Sequence, residues 1–140
     1  MTMTTRYLFD TCLILYLARR EALTSKAEQV LTEASNQQDT LFLSAFSAWE
    51  IGMLVSKGRL SLTQAPLPWF RSFASEHELS VLEATPDILV ASSFLPQPLH
   101  ADPADRILIA TAREHDLTVI TRDRAILAYG AAGHVKVLAC

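Results

Sequence analysis

Five short apolar runs, at residues 7–9, 41–43, 79–82, 118–121 and 135–138, are separated by segments with helical signals, and that alternation restricts the fold more than any other feature of the chain. Runs this short and this continuously apolar suit strands buried on both faces, whereas half-exposed strands alternate with polar residues. Strands that alternate with helices are joined by crossovers and pair in parallel, so the expected class is α/β: a three-layer sandwich with a central, mostly parallel sheet flanked by helices. In such sheets ligands sit outside the carboxyl ends of the strands, at the crevice where the strand order reverses.

The helical signals fall at residues 13–18 and 25–35, from Ser44 to a stop at Lys57-Gly58, at 67–76, and at 86–94. A further helix is expected to open at Asp102-Pro103, where an aspartate cap precedes a first-turn proline. Residues 107–112 are uncharged and mostly apolar, as a helix packed deep against a sheet requires. Half of the 140 residues are apolar, enough for one core and one domain over 1–140, and no internal repeat or low-complexity stretch divides them.

Cys12 and Cys140 provide neither a disulfide framework nor paired thiolate ligands, so a reducing cytoplasm is expected. Residues 1–5 carry no basic-then-apolar leader, and no apolar run approaches the roughly 20 residues of a membrane span, so no membrane association is expected. A formal charge of −3 offers no general electrostatic attraction to nucleic acid.

Against this frame stand Asp10, Glu50, Asp105 and Asp123, each at an expected strand end or on a helix of the buried layer. Carboxylates brought together raise one another's pKa and cost stability, so their convergence points to a bound cation. Glu50 is the most telling, because Phe46, Trp49, Met53 and Leu54 form an i, i+3, i+7, i+8 stripe whose i+4 slot it fills. A local alternative makes Ser47 and Glu50 a capping box at a solvated helix start. Asp10 and Asp102 equally suit helix caps, Asp105 suits a first turn, and Asp123 suits a turn in Thr121-Arg122-Asp123-Arg124. Each local role is plausible alone; together they account less well for the pattern.

Tyr7-Leu8-Phe9-Asp10-Thr11, Ser44-Ala45-Phe46-Ser47-Ala48-Trp49-Glu50-Ile51 with Lys57-Gly58-Arg59-Leu60 downstream, His100-Ala101-Asp102-Pro103-Ala104-Asp105-Arg106 and Thr121-Arg122-Asp123 resemble, in order and spacing, the PIN-domain family, and in particular VapC-type toxins of bacterial toxin–antitoxin pairs. The resemblance implies a PIN-like sandwich and a Mg²⁺- or Mn²⁺-dependent endoribonuclease that leaves 5′-phosphate and 3′-hydroxyl ends. It maps the acidic cluster onto Asp10, Glu50, Asp105 and Asp123, with Asp10, Asp105 and Asp123 toward the metal and Asp102, Thr11 and Thr121 in support. It also implies a cognate antitoxin that lays a helix across the toxin, and a homodimer. Cys12 and Leu54 depart from the histidine and lysine that many relatives carry at these positions.

For an RNA substrate, Arg106 is the favoured phosphate contact, ahead of Arg113, Arg122, Arg124, Lys57 and Arg59, each of which is otherwise a solvated surface charge. His100 and His115 are weaker catalytic candidates. Trp69, Phe70 and Phe73 read first as core and second as a groove for a partner helix. Other classes remain: a phosphoacceptor signalling module, in which Lys136 is the late lysine, a haloacid-dehalogenase-like phosphatase, and a catalytically inactive PIN-like binding protein. The first lacks an aspartate directly after residues 79–82, the second lacks Asp-x-Asp at Asp10-Thr11-Cys12, and the retained carboxylates weigh against the third.

Overall fold

The computed structural model describes residues 4–99 and 102–140. His100, and residues 1–3 of the stretch read for a leader, lie outside them. The elements run β1 (Tyr7–Phe9), α1 (Thr11–Ala18), α2 (Ser25–Ser35), β2 (Leu41–Ser44), α3 (Ala45–Ser56), α4 (Pro66–Glu76), β3 (Ser80–Leu82), α5 (Pro86–Ala91), α6 (Pro103–His115), β4 (Thr118–Thr121), α7 (Arg124–Ala131) and β5 (Lys136–Ala139). The sheet order is β3-β2-β1-β4-β5, and every pairing is parallel, so the expected mostly parallel sheet is fully parallel among the described residues.

Strand alternation sorts the side chains into two cores. Leu8, Phe42 and Val119 share one face, packed with Ile88 of α5, Leu108 and Ile109 of α6, and Ile126 of α7. Phe9, Leu41, Leu43 and Ile120 share the other, with Leu13 and Ile14 of α1, Ala27 and Ala34 of α2, and Phe70, Phe73 and Ala74 of α4. Full burial of each such large side chain is worth about 1.5–3 kcal/mol, so packing on both faces holds the sheet between its helices. Phe70 and Phe73 are core, as the first reading of that aromatic cluster expects.

Several boundaries differ from the sequence reading. Helix α1 starts directly at Thr11, because Asp10 already caps it. Helix α5 stops at Ala91, and residues 92–99 lead to α6 as a loop held by Tyr129, whose hydroxyl donates to the Pro96 carbonyl at 2.6 Å. Helix α7 has no counterpart in the sequence reading; Asp123 caps it, and it lies so close to β5 that a Cβ on Gly130 would meet a Val137 methyl at 2.4 Å. Among the described residues no helix is long and apolar enough to cross a membrane.

The stripe expected on α3 is not its buried face. Trp49 is 56% exposed and stacks on Phe46, while Ser47 and Ile51 are buried. Glu50 nonetheless faces the crevice, because it lies beside Ile51 and one turn after Ser47.

Candidate active site

The chain reverses its direction of sheet growth at β1: β2 and β3 extend one side, and β4 and β5 the other. The crevice therefore opens at the carboxyl ends of β1 and β4. Asp10 follows β1 and is 6% exposed; its Oδ2 accepts the Thr121 hydroxyl at 2.6 Å and its Oδ1 accepts the Cys12 amide at 3.4 Å. Thr121 ends β4 fully buried, and its Oγ1 also accepts the Asp123 amide at 2.9 Å. Asp123 in turn caps α7 by accepting the Ile126 amide at 3.0 Å. Residues 111 positions apart in sequence are thus joined by one hydroxyl.

The neighbouring strand delivers Glu50. Its Oε1 accepts the Thr11 hydroxyl at 2.6 Å, and Thr11 Oγ1 lies 2.8 Å from Ser47 Oγ. A hydroxyl has one proton, so with that of Thr11 donated to Glu50, Ser47 must be the donor to Thr11. Ser47 is 1% exposed and orients Thr11 from behind. The expected capping box does not form, because the α3 cap is Ser44, whose Oγ accepts the Phe46 amide. The i, i+3 spacing of Ser47 and Glu50 signalled a shared face but not this link.

The fourth contribution comes from α6. Asp102 caps it by accepting the amides of Ala104 at 2.9 Å and Asp105 at 3.3 Å, and Asp105 lies in the first turn. Capping and convergence are therefore compatible: Asp10, Asp102 and Asp123 each cap a helix, and each also contributes charge to the crevice.

Burial and neighbouring charge shift these groups. Burial, then the charges of Asp102, Asp123, Asp10 and Glu50, push the Asp105 carboxyl up to about 7. Burial also raises Asp10, opposed by the Thr121 and Cys12 hydrogen bonds and reinforced by Asp123. Burial raises Glu50, opposed by Thr11 and reinforced by Asp10 and Asp102. The Cys12 thiol rises to about 11, through burial and then Asp10, Glu50 and Asp105, so at neutral pH it stays a neutral S–H. The donors are hard oxygens with an excess of negative charge, the chemistry suited to Mg²⁺ or Mn²⁺. Among the described residues no three His, Cys, Asp or Glu side chains converge tightly enough to hold an ion by themselves.

The basic candidates are distributed otherwise. Arg106 donates to the carbonyls of Ser92 at 3.1 Å and Leu99 at 3.2 Å and so secures the loop ahead of Asp102. Arg113 donates to the His134 carbonyl. Arg122 is engaged by the end of α1 and the chain after it. Lys57, Arg59 and Arg124 are exposed. His115 closes the far end of α6, about 15 Å along the helix from Asp105, so it is not part of the crevice. Lys136 opens β5 opposite Thr118 and pairs with Asp116 at 2.7 Å, at the amino ends of the strands, where it cannot serve a phosphoacceptor pocket at the carboxyl ends.

The PIN domain family model matches residues 7–131. Ribonuclease VapC22 of Mycobacterium tuberculosis is 34% identical over 95 residues, which span 68% of this chain and 72% of that protein. Among solved structures, VapBC2 from Rickettsia felis bound to a promoter DNA fragment superposes with a TM-score of 0.72 at 14% identity, covering 96% of this chain and 98% of that one. A toxin–antitoxin complex from Klebsiella pneumoniae gives 0.62 at 19% identity, covering 94% and 95%. At these identities the superpositions establish the fold.

Proposed function

Because this chain belongs to the PIN-domain family, we propose that it is a single PIN domain over residues 1–140 acting in the cytoplasm as a divalent-metal-dependent endoribonuclease toxin, neutralised by a cognate antitoxin. The observation that carries this reading is the convergence of Asp10 and Asp123 on the Thr121 hydroxyl at the carboxyl ends of β1 and β4, with Glu50 held on Thr11 next to Asp10. Its 34% identity to a named ribonuclease supports the substrate class.

Asp10, Asp105 and Asp123 would hold Mg²⁺ or Mn²⁺, which takes one or two carboxylates directly and keeps several waters. When bound, the ion supplies Lewis-acid stabilisation of the charge that develops on the phosphoryl oxygens and makes water more acidic. Asp10 is held in one orientation by Thr121 and the Cys12 amide, so it does not have to be ordered when the ion arrives. Glu50 is steered by Thr11 and has a raised proton affinity, which suits it to take the proton of the attacking water on its carboxylate. The water oxygen bonds to phosphorus, the bond to O3′ breaks, and the leaving oxygen takes a proton from solvent, giving 5′-phosphate and 3′-hydroxyl ends. Asp102 keeps Asp105 in place through the α6 cap. Arg106 is the proposed phosphate contact on this rim, in addition to securing its loop.

The antitoxin partner is supported by solved relatives of the same fold that are toxin–antitoxin complexes. Homodimer formation belongs to the same proposal: Phe94 at 81%, Val90 at 63% and Trp49 at 56% exposure supply apolar surface suited to burial against a second copy. The test is purified protein, free of antitoxin, incubated with RNA. Cleavage should require Mg²⁺ or Mn²⁺, stop with EDTA, and be absent from Asp10→Ala. Cleavage that persists in Asp10→Ala would refute the assignment.

A further inference from the structure

Arg122 stands between Thr121, which bonds Asp10, and Asp123, which caps α7, yet its guanidinium engages the opposite end of α1. One nitrogen donates to the Ala22 carbonyl at 2.6 Å, another pairs with Glu21 at 3.5 Å, and Cζ lies over the Tyr16 ring, 4.1 Å from its centre. Tyr16 is four residues after Cys12 on α1, so the two share a helix face, and the Cys12 amide bonds Asp10. The linker after α1 is docked a second time, where the Thr24 amide and hydroxyl donate to the carbonyls of Cys140 at 3.0 Å and Ala139 at 3.2 Å.

We propose that Arg122 is a positioning residue, which clamps the end of α1 and its linker to the turn between β4 and α7 and thereby fixes Asp10 relative to Asp123. The proposal rests on the nuclease reading of the crevice. The connection from β4 to α7 is only Arg122 and Asp123, so anchoring one orients the other. Only a planar, multidentate cation makes all three contacts at once; a lysine retains the charge but loses the stacking and the fork. The competing role is a phosphate contact, in which charge alone would matter most.

The experiment compares Arg122→Lys, Arg122→Ala, Tyr16→Leu and the Tyr16→Leu/Arg122→Lys double variant, in the full chain free of antitoxin. Mn²⁺ affinity is titrated by electron paramagnetic resonance, RNA cleavage is resolved into kcat and KM at several salt concentrations, and amide exchange is followed over residues 19–24. Arg122→Lys should weaken Mn²⁺ binding about 10-fold and lower kcat comparably. KM and its salt dependence should stay unchanged, and residues 19–24 should exchange faster. Tyr16→Leu should reproduce these effects, and the double variant should be no worse than either single one. An intact Arg122→Lys, with a raised KM and a shallower salt dependence in Arg122→Ala, would overturn the proposal in favour of phosphate binding. Lowered melting temperatures with Mn²⁺ affinity and kcat unchanged would overturn it in favour of a purely structural clamp. Arg122-dependent Mn²⁺ binding without RNA cleavage by the wild-type protein would support the clamp while removing the nuclease reading.

Discussion

Asp105 and Asp116 stand at the two ends of helix α6, and their proton affinities move in opposite directions. The carboxyl of Asp105 rises to about 7 through burial and four neighbouring carboxylates. The carboxyl of Asp116 is lowered by its hydrogen bond to Lys136 and by that lysine's charge. The helix dipole alone predicts the reverse, because it favours anions at the first turn and disfavours them at the last. Burial and neighbouring carboxylates act against the dipole at Asp105, and the Lys136 hydrogen bond and charge act against it at Asp116. The contrast extends to the whole sheet: at the amino ends of the strands opposite charges pair and arginines meet carbonyls, as in Lys136–Asp116, Arg113–His134 and Arg6–His115. At the carboxyl ends like charges gather, the arrangement expected of a site that takes up a cation.

The sharpest way to break this comparison is to remove a charge from each end. Asp105→Ala should reduce Mn²⁺-dependent RNA cleavage by about 1,000-fold or more, measured as kcat/KM, whereas Asp116→Ala should leave it unchanged. Equal losses would mean that the carboxyl end has no special role.

Stability against pH sharpens it further. Asp105 binds its proton more tightly in the folded protein than in the unfolded chain, so its stabilising contribution is complete below pH about 4 and is lost as pH rises through about 7. The melting temperature of metal-free protein should therefore fall across that window. Asp105→Asn should flatten the decline and melt roughly 3–6 °C higher than wild type at pH 8, with Mn²⁺ restoring the wild-type protein. A decline of the same size in the Asn variant would remove Asp105 as its source.

A smaller effect is expected at Ser47, whose hydroxyl orients Thr11 toward Glu50. Ser47→Ala should lower kcat about 10-fold with KM unchanged, the size of one oriented hydrogen bond. The smallest is at the amino end: Lys136→Ala should shift the melting temperature by less than about 2 °C, because exposed ion pairs contribute little. A larger shift would show that the paired end also supports the fold.

Local features of the chain were legible because their causes are local. Asp102-Pro103, Lys57-Gly58 and the apolar run before Asp10 read correctly as a helix start, a helix stop and a strand end. Helix α7 escaped the same reading, because Thr121-Arg122-Asp123-Arg124 reads locally as a turn, whereas in the fold Asp123 caps a helix whose Gly130 packs closely on Val137 of β5. The α3 stripe misled because Trp49 is an apolar residue on the surface, stacked on the partly buried Phe46, and periodicity alone does not distinguish a surface from a core.

From the sequence alone follow the alternation of strands and helices, the caps and the identity of the acids, all consequences of backbone preference and side-chain chemistry within a few residues. Only the tertiary structure decided that β4 inserts beside β1, so that Thr121 meets Asp10, that Ser47 lies behind Thr11, and that Arg122 turns to Tyr16. These depend on contacts between segments tens of residues apart, whose pairing is selected by the packing of both sheet faces together and leaves no periodic trace in any one segment.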